Sequence, residues 1–296
     1  MKHTFILFIL CAVGVFSSCE SDNEGLANPQ PVEEVTHDYN DHQDADRPEL
    51  HDALLAHIQS QTEDYSNPIR QEVTRPDGTV ETVYVVSDDI EMTKEQLKLY
   101  QSFSGDDEKQ YRTNNRVTKR TIKILGSTGG SDGLNAEQQR GLRYAVANYN
   151  ALNLTIDLEL EFGNKSWWNN LFYDIVVYRD DSESTAGGRA GFPYNNGNPY
   201  KWVRIFTGMD NEDSQANEHV IGHEIGHCLG LRHTDFFDRS SCNRGFSNEG
   251  QSSSGAQRIP GTPAGYDTDS QMNACWPSDT DGEFSYYDRV ALRWLF

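Results

Sequence analysis

The alternation of apolar and polar residues predicts a domain of strands and helices in the C-terminal part of the chain. Apolar or alternating stretches of strand length cover residues 121–125, 155–162, 173–178 and 202–207. Residues 135–150 instead place one apolar stripe at helical spacing, formed by Leu142, Ala145 and Tyr149. Asp213 or Ser214 is a suitable N-cap for a second long helix. Because strands and helices alternate, we predict an α+β fold with a mixed, mostly parallel twisted sheet and helices packed against it.

A smaller ordered region is predicted just before this domain. Val73 leads into a Pro-Asp-Gly turn, and the alternating residues 80–86 follow, a pattern typical of a hairpin. Thr93 and Gln96 have the spacing of a capping box for a short helix. We therefore divide the ordered chain into a small accessory region, residues 70–114, and a main domain, residues 115–296.

The first residues have the pattern of an export signal. Lys2 is followed by the apolar residues 4–16 and by two serines, and this apolar stretch is shorter than a membrane-spanning helix. Residues 1–18 are therefore predicted to be a signal peptide. Residues 19–69 are strongly acidic and contain few large apolar side chains, which predicts a flexible tether.

Residues 16–19, Phe-Ser-Ser-Cys, resemble the lipobox of bacterial lipoproteins, with Phe in place of the usual Leu or Val. In that family the cysteine becomes the lipidated first residue of the mature protein. The resemblance implies that Cys19 anchors the protein to the bacterial outer membrane. The acidic residues 20–24 are similar to a tag that directs some lipoproteins to the outer surface. An ordinary signal peptide, in which Cys19 has no special role, is the alternative.

The charge of the chain excludes one class of partner. Its 296 residues include 25 Lys and Arg against 46 Asp and Glu, a formal net charge of -21 at pH 7. Such a charge opposes binding to phosphate backbones. We therefore expect no nucleic-acid partner, and we expect a monomer that meets the membrane through its lipid anchor.

The residues with the clearest chemical signal are 223–233, which read His-Glu-Ile-Gly-His-Cys-Leu-Gly-Leu-Arg-His. His223 and His227 are four residues apart, so a helix places both imidazoles on one face, where they can bind the same zinc ion. A continued helix would carry His233 away from this face, and Gly230 is the residue that can end the helix and redirect the chain. Three histidines leave one coordination position open, which is typical of catalytic zinc sites.

The pattern H-E-x-x-H-x-x-G-x-x-H resembles the extended zinc motif of metzincins, and His-Glu-Ile-Gly-His is similar to the signature of the bacterial dual-action HEIGH metallopeptidases. The resemblance covers about residues 115–296 and implies a metzincin-like catalytic domain with a zinc-binding helix. It also implies a methionine turn beneath the metal at Met272, although Ala274 stands where astacins have a tyrosine. Residues 284–292 are similar to the final metzincin helix.

By this resemblance the chain is a zinc metalloendopeptidase that acts on protein or peptide substrates. Glu224 would be the general base that takes a proton from the attacking water. A surface-binding lipoprotein that contains zinc without significant protease activity is the alternative from another class, and the presence of Glu224 argues against it. A thermolysin-like site, whose third ligand is a carboxylate from a separate helix, is disfavoured by the spacing of Gly230 and His233.

Two interpretations remain open for residues 188–192, Gly-Arg-Ala-Gly-Phe. The family resemblance implies an edge strand on which substrate adds as an antiparallel strand. The glycine-rich composition is equally typical of a plain loop.

Three cysteines lie outside the signal peptide and the lipid site. An exported protein meets oxidising conditions, and an odd number of cysteines allows at most one bridge within the chain. We predict a disulfide between Cys242 and Cys275, which would join the loop after the zinc motif to the methionine turn. Cys228 is expected to be a small buried residue of the zinc-binding helix.

The accessory region allows a regulatory interpretation. Residues 85–90, Val-Val-Ser-Asp-Asp-Ile, resemble the pro-segment in which astacin-like enzymes place an aspartate on the metal, although the preceding glycine is missing. The resemblance implies that Asp89, or Asp88, is a fourth zinc ligand. Residues 70–112 would then keep the enzyme inactive until they are removed near the basic residues 112–120. The alternative is an accessory domain whose acidic turn faces solvent.

Overall fold

The computed structural model describes residues 68–86, 88–98, 111–164, 172–242, 249, 256–263, 265 and 267–296, all within one compact unit. The predictions for the signal peptide, for Cys19 and for nearly all of the acidic tether lie outside these residues. Within the described ranges, no helix has both the length and the apolar character needed to cross a bilayer.

The described residues form ten strands and four α-helices. The strands are β1 (Ile69–Thr74), β2 (Val80–Val86), β3 (Ile90–Met92), β4 (Tyr111–Arg112), β5 (Thr121–Ser127), β6 (Asp157–Gly163), β7 (Ile175–Asp180), β8 (Gly188–Arg189), β9 (Trp202–Phe206) and β10 (Gln257–Arg258). The α-helices are α1 (Lys94–Lys98), α2 (Ala136–Ala151), α3 (Ser214–Leu229) and α4 (Tyr286–Leu295). Single 3₁₀ turns are formed by Thr207–Asn211 and Ser240–Cys242.

The main sheet has the strand order β6-β5-β7-β9-β8. Strand β5 pairs in parallel with β6 and β7, and β7 pairs in parallel with β9, whereas β8 is antiparallel to β9. The prediction of an α+β fold with a mixed, mostly parallel sheet is therefore confirmed. The predicted strands agree closely with β5, β6, β7 and β9.

Helices α2 and α3 pack against each other and against strands of the main sheet. Helix α2 begins with a capping box formed by Asn135 and Gln138. Helix α3 begins after Asp213, whose carboxylate accepts hydrogen bonds from two N–H groups of the first turn, an interaction worth about 1 kcal/mol. The predicted stripe of α2 is buried, at Leu142, Ala145 and Tyr149. These local signals explain why both helices could be located from the sequence.

The accessory region folds as an antiparallel sheet, β1-β2-β3, followed by α1. Strands β1 and β2 meet at the predicted turn, where the N–H of Gly78 donates to the carbonyl of Arg75 at 2.8 Å. The capping box is present, because the N–H of Gln96 donates to Oγ1 of Thr93 at 3.2 Å and the N–H of Thr93 donates to Oε1 of Gln96 at 2.9 Å. Strand β3 was not predicted, since three residues are too few to show a periodic pattern.

Strand β3 also contacts the main domain beside β8. The N–H of Glu91 donates to the carbonyl of Ala190 at 2.8 Å, and the N–H of Ala190 donates to the carbonyl of Asp89 at 3.0 Å. Phe192, which follows this contact, joins the apolar core of the accessory region. The other members of that core are Tyr84, Val86, Ile90, Met92 and Leu97. The accessory region therefore lies along the edge of the main sheet.

Residues just after the accessory region are built into the main domain. Strand β4 pairs with β10. The N–H of Thr113 donates to the carbonyl of Gly230 at 2.9 Å, and the N–H of Arg232 donates to the carbonyl of Tyr111 at 3.0 Å. The boundary predicted after residue 114 therefore falls within a hydrogen-bonded part of the main domain. Removal of the accessory region near residues 112–120 would disturb contacts next to the zinc motif.

Candidate metal centre

Helix α3 carries the first two histidines of the motif and ends at Gly230. His223 and His227 are both buried. Gly230 adopts a φ of 106°, a left-handed conformation that favours glycine, and its N–H donates to the carbonyl of His227. The redirected chain brings His233 to the same face of the helix, as the spacing predicted.

The three histidines point their Nε2 atoms at a common centre. Nε2 of His233 lies 3.2 Å from that of His223 and 3.1 Å from that of His227. Nδ1 of His223 donates to the carbonyl of Gln271 at 2.7 Å, and Nδ1 of His227 donates to the carbonyl of Leu231 at 2.8 Å. Because Nδ1 carries the proton, the Nε2 lone pair is available to a metal ion.

Glu249 orients the third histidine. Its Oε1 accepts a hydrogen bond from Nδ1 of His233 at 2.5 Å and another from Nη1 of Arg239 at 3.2 Å. Glu249 is only 3 % exposed, and Nη2 of Arg232 lies 3.8 Å from its other oxygen. No pattern in the sequence marks this residue. It lies 16 residues beyond His233 in a stretch without apolar periodicity, where one more acidic residue gives no signal.

The structure brings Asp89 of the accessory region to the histidines. Its Oδ2 lies 2.8 Å from Nε2 of His233 and 3.5 Å from Nε2 of His223. Asp88 does not reach them, because its side chain is 79 % exposed and lies 3.9 Å from Nη2 of Arg239. Asp88 adopts a φ of 64°, within the turn that leads into β3.

The electrostatics of this group favour a bound cation. Burial alone would lower the pKa of His233, but the carboxylates of Asp89 and Glu249 outweigh it and raise the pKa to about 10. Burial alone would raise the pKa of Asp89, but the neighbouring histidines, His233 first, hold it well below its usual range. Both shifts mean that the carboxylates stabilise positive charge at the centre of the cluster.

The donor set fits zinc. Three imidazole nitrogens and one carboxylate oxygen lie within 4.8 Å of one another, contributed by Asp89, His223, His227 and His233. Zinc takes these ligand types in tetrahedral geometry with bonds of about 2.0 to 2.2 Å, which separates neighbouring ligand atoms by about 3.3 Å. The Nε2 distances are close to that separation. Three buried Nε2 atoms that face one another also repel unless a cation, either a proton or a metal ion, lies between them.

Glu224 lies beside the histidines and is only 1 % exposed. Burial raises the pKa of Glu224 well above its usual value, and the negative charge of Asp89 raises it further. Among the described residues, its Oε2 has no hydrogen-bond partner. Gly188 of β8 makes room for this side chain, since a Cβ at that position would lie 2.9 Å from Cγ of Glu224. Glu224 therefore lies against the sheet edge at β8, and its buried Oε2 is free to accept a proton.

Met272 packs beneath the zinc-binding helix. A Cβ at Gly226 would lie 2.5 Å from Sδ of Met272, so the glycine allows the methionine to approach the helix closely. The carbonyl of Met272 accepts a hydrogen bond from the N–H of Thr234 at 2.8 Å, next to His233. This arrangement places Met272 where the family resemblance implied a methionine turn.

Helix α4 supports the turn that contains Met272. Asp288 accepts hydrogen bonds from Oγ of Ser270 at 2.6 Å and from the N–H of Gln271 at 2.8 Å. The helix occupies the predicted C-terminal position, and Leu292 and Leu295 are buried while Val290 is half-buried. The carbonyl of Gln271, held in this way, is the acceptor for Nδ1 of His223.

A disulfide joins Cys242 to Cys275, with Cα atoms 4.9 Å apart. Asp235 connects the same two segments, because it accepts hydrogen bonds from Oγ of Ser241 at 2.5 Å and from the N–H of Ala274 at 3.0 Å. These bonds hold the loop after the zinc motif against the turn that contains Met272. Cys228 is free and buried.

Residues 188–192 form an edge strand only at their start. Gly188 and Arg189 pair with β9 as β8, whereas Gly191 and Phe192 belong to no strand. The outer side of this edge is occupied by the accessory region through the bridge between Ile90 and Ala190. Of the two interpretations, the structure therefore favours an edge strand, and a short one.

The comparison with protein families agrees with the motif. A family model described as dual-action HEIGH metallo-peptidase matches residues 83–296. No curated protein matches the chain. Among solved structures, one titled "Structure of Myroilysin" is 17% identical with a TM-score of 0.36, and the match covers 62% of this chain and 82% of that chain. Metalloproteinase-II from Bacteroides fragilis is 12% identical with a TM-score of 0.35, and the match covers 83% of this chain and 70% of that chain.

Proposed function

Because this chain belongs to the dual-action HEIGH metallopeptidase family and is thus a zinc-dependent hydrolase of proteins or peptides, we propose that it is an endopeptidase with Glu224 as its general base. His223, His227 and His233 would hold the metal. The proposal is supported by the convergence of three Nε2 atoms beside the buried Glu224, whose Oε2 has no hydrogen-bond partner within the described part of the chain.

In the proposed mechanism, zinc, when bound, polarises a water molecule and the carbonyl of the substrate. Oε2 of Glu224 accepts a proton from the attacking water, and the same carboxyl group then donates that proton to the leaving amine. The edge of β8 holds the substrate as an added strand, so that a peptide bond within a longer chain lies beside Glu224. Ala274 stands where astacins have a tyrosine, so no hydroxyl group at this position assists the reaction.

The test replaces Glu224 by glutamine, which keeps the shape of the side chain but is a poor proton acceptor. We expect Glu224→Gln to retain zinc, measured by elemental mass spectrometry, and to lose peptidase activity by about 100-fold or more. Glu218→Gln is a matched control, because Glu218 is a buried glutamate of the same helix that lies outside the histidine cluster. Wild-type turnover by a zinc-loaded Glu224→Gln protein would rule out the role of this residue.

The alternative, a zinc-containing surface protein without significant protease activity, gives a different result in the same preparation. Digestion of casein that stops on chelation of zinc and resumes on its return supports the peptidase. Casein left intact by a zinc-loaded protein freed of its accessory region supports the alternative. The buried Oε2 of Glu224, which has no hydrogen-bond partner among the described residues, favours the first outcome, since binding of the metal alone does not require such a carboxylate.

We also propose that residues 70–112, of which 70–86, 88–98 and 111–112 are described, act as a latency segment. Asp89 supports this proposal, because its carboxylate lies where the water and the substrate carbonyl must reach the histidine cluster. The segment also covers the edge of β8 through the bridge to Ala190. Both features would block substrate in the full chain and would be relieved when the segment leaves.

For the location of the protein we propose a lipid anchor at Cys19, with the mature chain held at the bacterial outer membrane as a monomer. The sequence that precedes Cys19 and the acidic residues after it motivate this proposal. Wild type should partition into detergent and Cys19→Ser into the aqueous phase. Partitioning of both proteins into the aqueous phase would rule out lipidation of Cys19.

A further inference from the structure

Glu91 of the accessory region enters a polar site of the main domain. Its side chain is fully buried, and it accepts hydrogen bonds from the hydroxyl of Tyr200 at 2.7 Å and from Nη1 of Arg204 at 3.2 Å. The third donor is Nη2 of Arg75 at 2.8 Å, which belongs to the accessory region itself. We call the part contributed by the main domain, Tyr200 and Arg204, the carboxylate socket.

The socket is held in place independently of Glu91. Nε of Arg204 donates to Oδ2 of Asp180 at 2.5 Å, and its Nη2 donates to Oγ of Ser182 at 3.2 Å. The guanidinium is therefore fixed by residues of the main domain, while Nη1 points at the carboxylate of Glu91. If the accessory region leaves, Arg75 and Glu91 leave together, and Nη1 of Arg204 and the hydroxyl of Tyr200 lose their shared acceptor.

The carboxylate socket lies close to the sheet edge on which the substrate is proposed to bind. Glu91 is two residues beyond Asp89, which lies at the histidine cluster, and its N–H donates to the carbonyl of Ala190 just after β8. A peptide added to the same edge would run past both the histidines and the socket. Ile90 bridges to Ala190 in parallel, whereas a substrate strand is expected to run antiparallel. In either direction, a step of two residues in an extended chain covers about 7 Å, so a substrate side chain near the scissile bond would reach the socket.

The chemistry of the socket selects the charge of that side chain. When a bound peptide shields the socket from water, its guanidinium and hydroxyl lose free energy unless they have an acceptor, and a carboxylate satisfies both. A second cation lies on the neighbouring strand, since Arg189 is paired across the ladder with Arg204. A lysine or arginine side chain would therefore meet repulsion as well as unsatisfied donors.

We propose that Tyr200 and Arg204 form a substrate subsite for a carboxylate side chain, so that the peptidase prefers Asp or Glu about two residues from the bond it cleaves. The inference rests on the proposed peptidase function and on release of the accessory region. Glu91 then has a second role in the full chain, because it fills the subsite while Asp89 fills the metal centre.

The test uses the full chain, loaded with zinc and activated by limited proteolysis. Matched peptides carry Glu, Gln or Lys at one position, two residues before or two residues after the cleaved bond. At one of these positions we expect kcat/KM for the Glu peptide to exceed that for the Gln peptide by about tenfold, since a charge-assisted hydrogen bond is lost, with the Lys peptide lower still. This comparison needs no variant and so does not depend on the folding of one.

Two variants then test whether Arg204 causes the preference for the Glu peptide. Arg204→Gln should reduce the Glu-to-Gln ratio to about one, since the charge is removed from the subsite. Arg179→Gln should keep the wild-type ratio, because Arg179, on the neighbouring strand β7, pairs with Asp210 of the 3₁₀ turn and not with Glu91.

The result that would overturn the subsite differs from the result that would overturn the proposed peptidase function. Chelator-sensitive cleavage of all peptides at equal kcat/KM overturns the subsite and leaves the endopeptidase intact. Absence of cleavage of any peptide by the zinc-loaded, activated protein overturns the proposed function, and the subsite with it. A preference for Glu that Arg204→Gln retains in full also overturns the assignment.

Discussion

Oδ2 of Asp89 lies 2.8 Å from Nε2 of His233, although the two residues come from separately predicted regions of the chain. The contact couples the accessory region to the metal centre. It places a carboxylate on the side of the histidine cluster that a substrate carbonyl and a water molecule must reach. If the proposed latency role is correct, Asp89 moves away from the histidines before a peptide is cleaved.

The first prediction concerns this contact in the uncut full chain. Asp89→Asn should raise peptide hydrolysis by about tenfold or more, because a neutral amide is a weaker ligand than a carboxylate and competes less with water. Asp88→Asn should leave it unchanged, since the side chain of Asp88 is exposed and asparagine tolerates its φ of 64°. Hydrolysis of a short fluorogenic peptide measures both. Equal rates for the two variants would contradict a latency role for Asp89.

The second prediction concerns Glu249, which holds Nδ1 of His233. Glu249→Gln should weaken zinc binding by about tenfold, because the neutral amide no longer favours the proton on Nδ1 as strongly. Asp210→Asn is the control, since it also removes a carboxylate partnered by an arginine but lies away from the histidines. Competition with a chromogenic chelator gives both affinities. An unchanged affinity in Glu249→Gln would show that the hydrogen bond to His233 contributes nothing to the metal site.

The zinc-binding helix was predictable because its signals are local. Asp213 caps it, the two histidines repeat at helical spacing, and Gly230 ends it with a positive φ. Each of these features depends on residues within a few positions of one another. The same holds for α2, whose capping box and apolar stripe are both read from neighbouring residues.

The partners of the histidines were harder to predict because they depend on tertiary contacts. Glu249 reaches His233 only after the chain has folded back, so no periodic pattern marks it. The sequence also left Asp88 and Asp89 as equal candidates. The choice between them is made by the pairing of β3 with the residue after β8, which fixes the side to which Asp89 points. Glu91 gave no signal for the same reason.

The third prediction concerns the pH dependence of stability. Burial, followed by the negative charge of Glu283, raises the pKa of Glu218 from 4.5 to about 7. Below pH 4.5 the group is protonated in both the folded and the unfolded chain, so its ionisation has no effect. As the pH rises from 4.5 to about 7, the folded state still holds a proton that the unfolded state has lost, and stability falls.

Glu218→Gln removes this titration and can still accept the hydrogen bond that Nδ2 of Asn148 donates at 2.7 Å. We expect the variant to melt at the same temperature as wild type near pH 4.5 and at a higher temperature above about pH 7. The zinc site titrates in the same way in both proteins, so it does not contribute to the difference between their melting temperatures. Glu159→Gln, at an exposed position of β6, should show no such trend. A difference in melting temperature that is constant with pH would contradict the raised pKa.

The fourth prediction concerns the close approach of Met272 to Gly226. Alanine is the better helix former by about 1 kcal/mol, so Gly226→Ala would stabilise an isolated helix. Here the added Cβ would lie 2.5 Å from Sδ of Met272 and 3.2 Å from the hydroxyl of Tyr149. Such overpacking costs about 1 to 3 kcal/mol and therefore outweighs the gain in helix propensity. The net effect should be a lower free energy of unfolding, measured by urea denaturation.

Gly226→Ala should also weaken zinc binding, because a displaced Met272 moves its neighbour Gln271, whose carbonyl orients His223. Gly265→Ala is the matched control, since a Cβ there meets no atom within 4 Å, and it should leave zinc affinity unchanged. Chelator competition and denaturation on the same preparations separate the two effects of Gly226→Ala. A variant that is destabilised but binds zinc as tightly as wild type would mean that Met272 supports the helix and not the metal site.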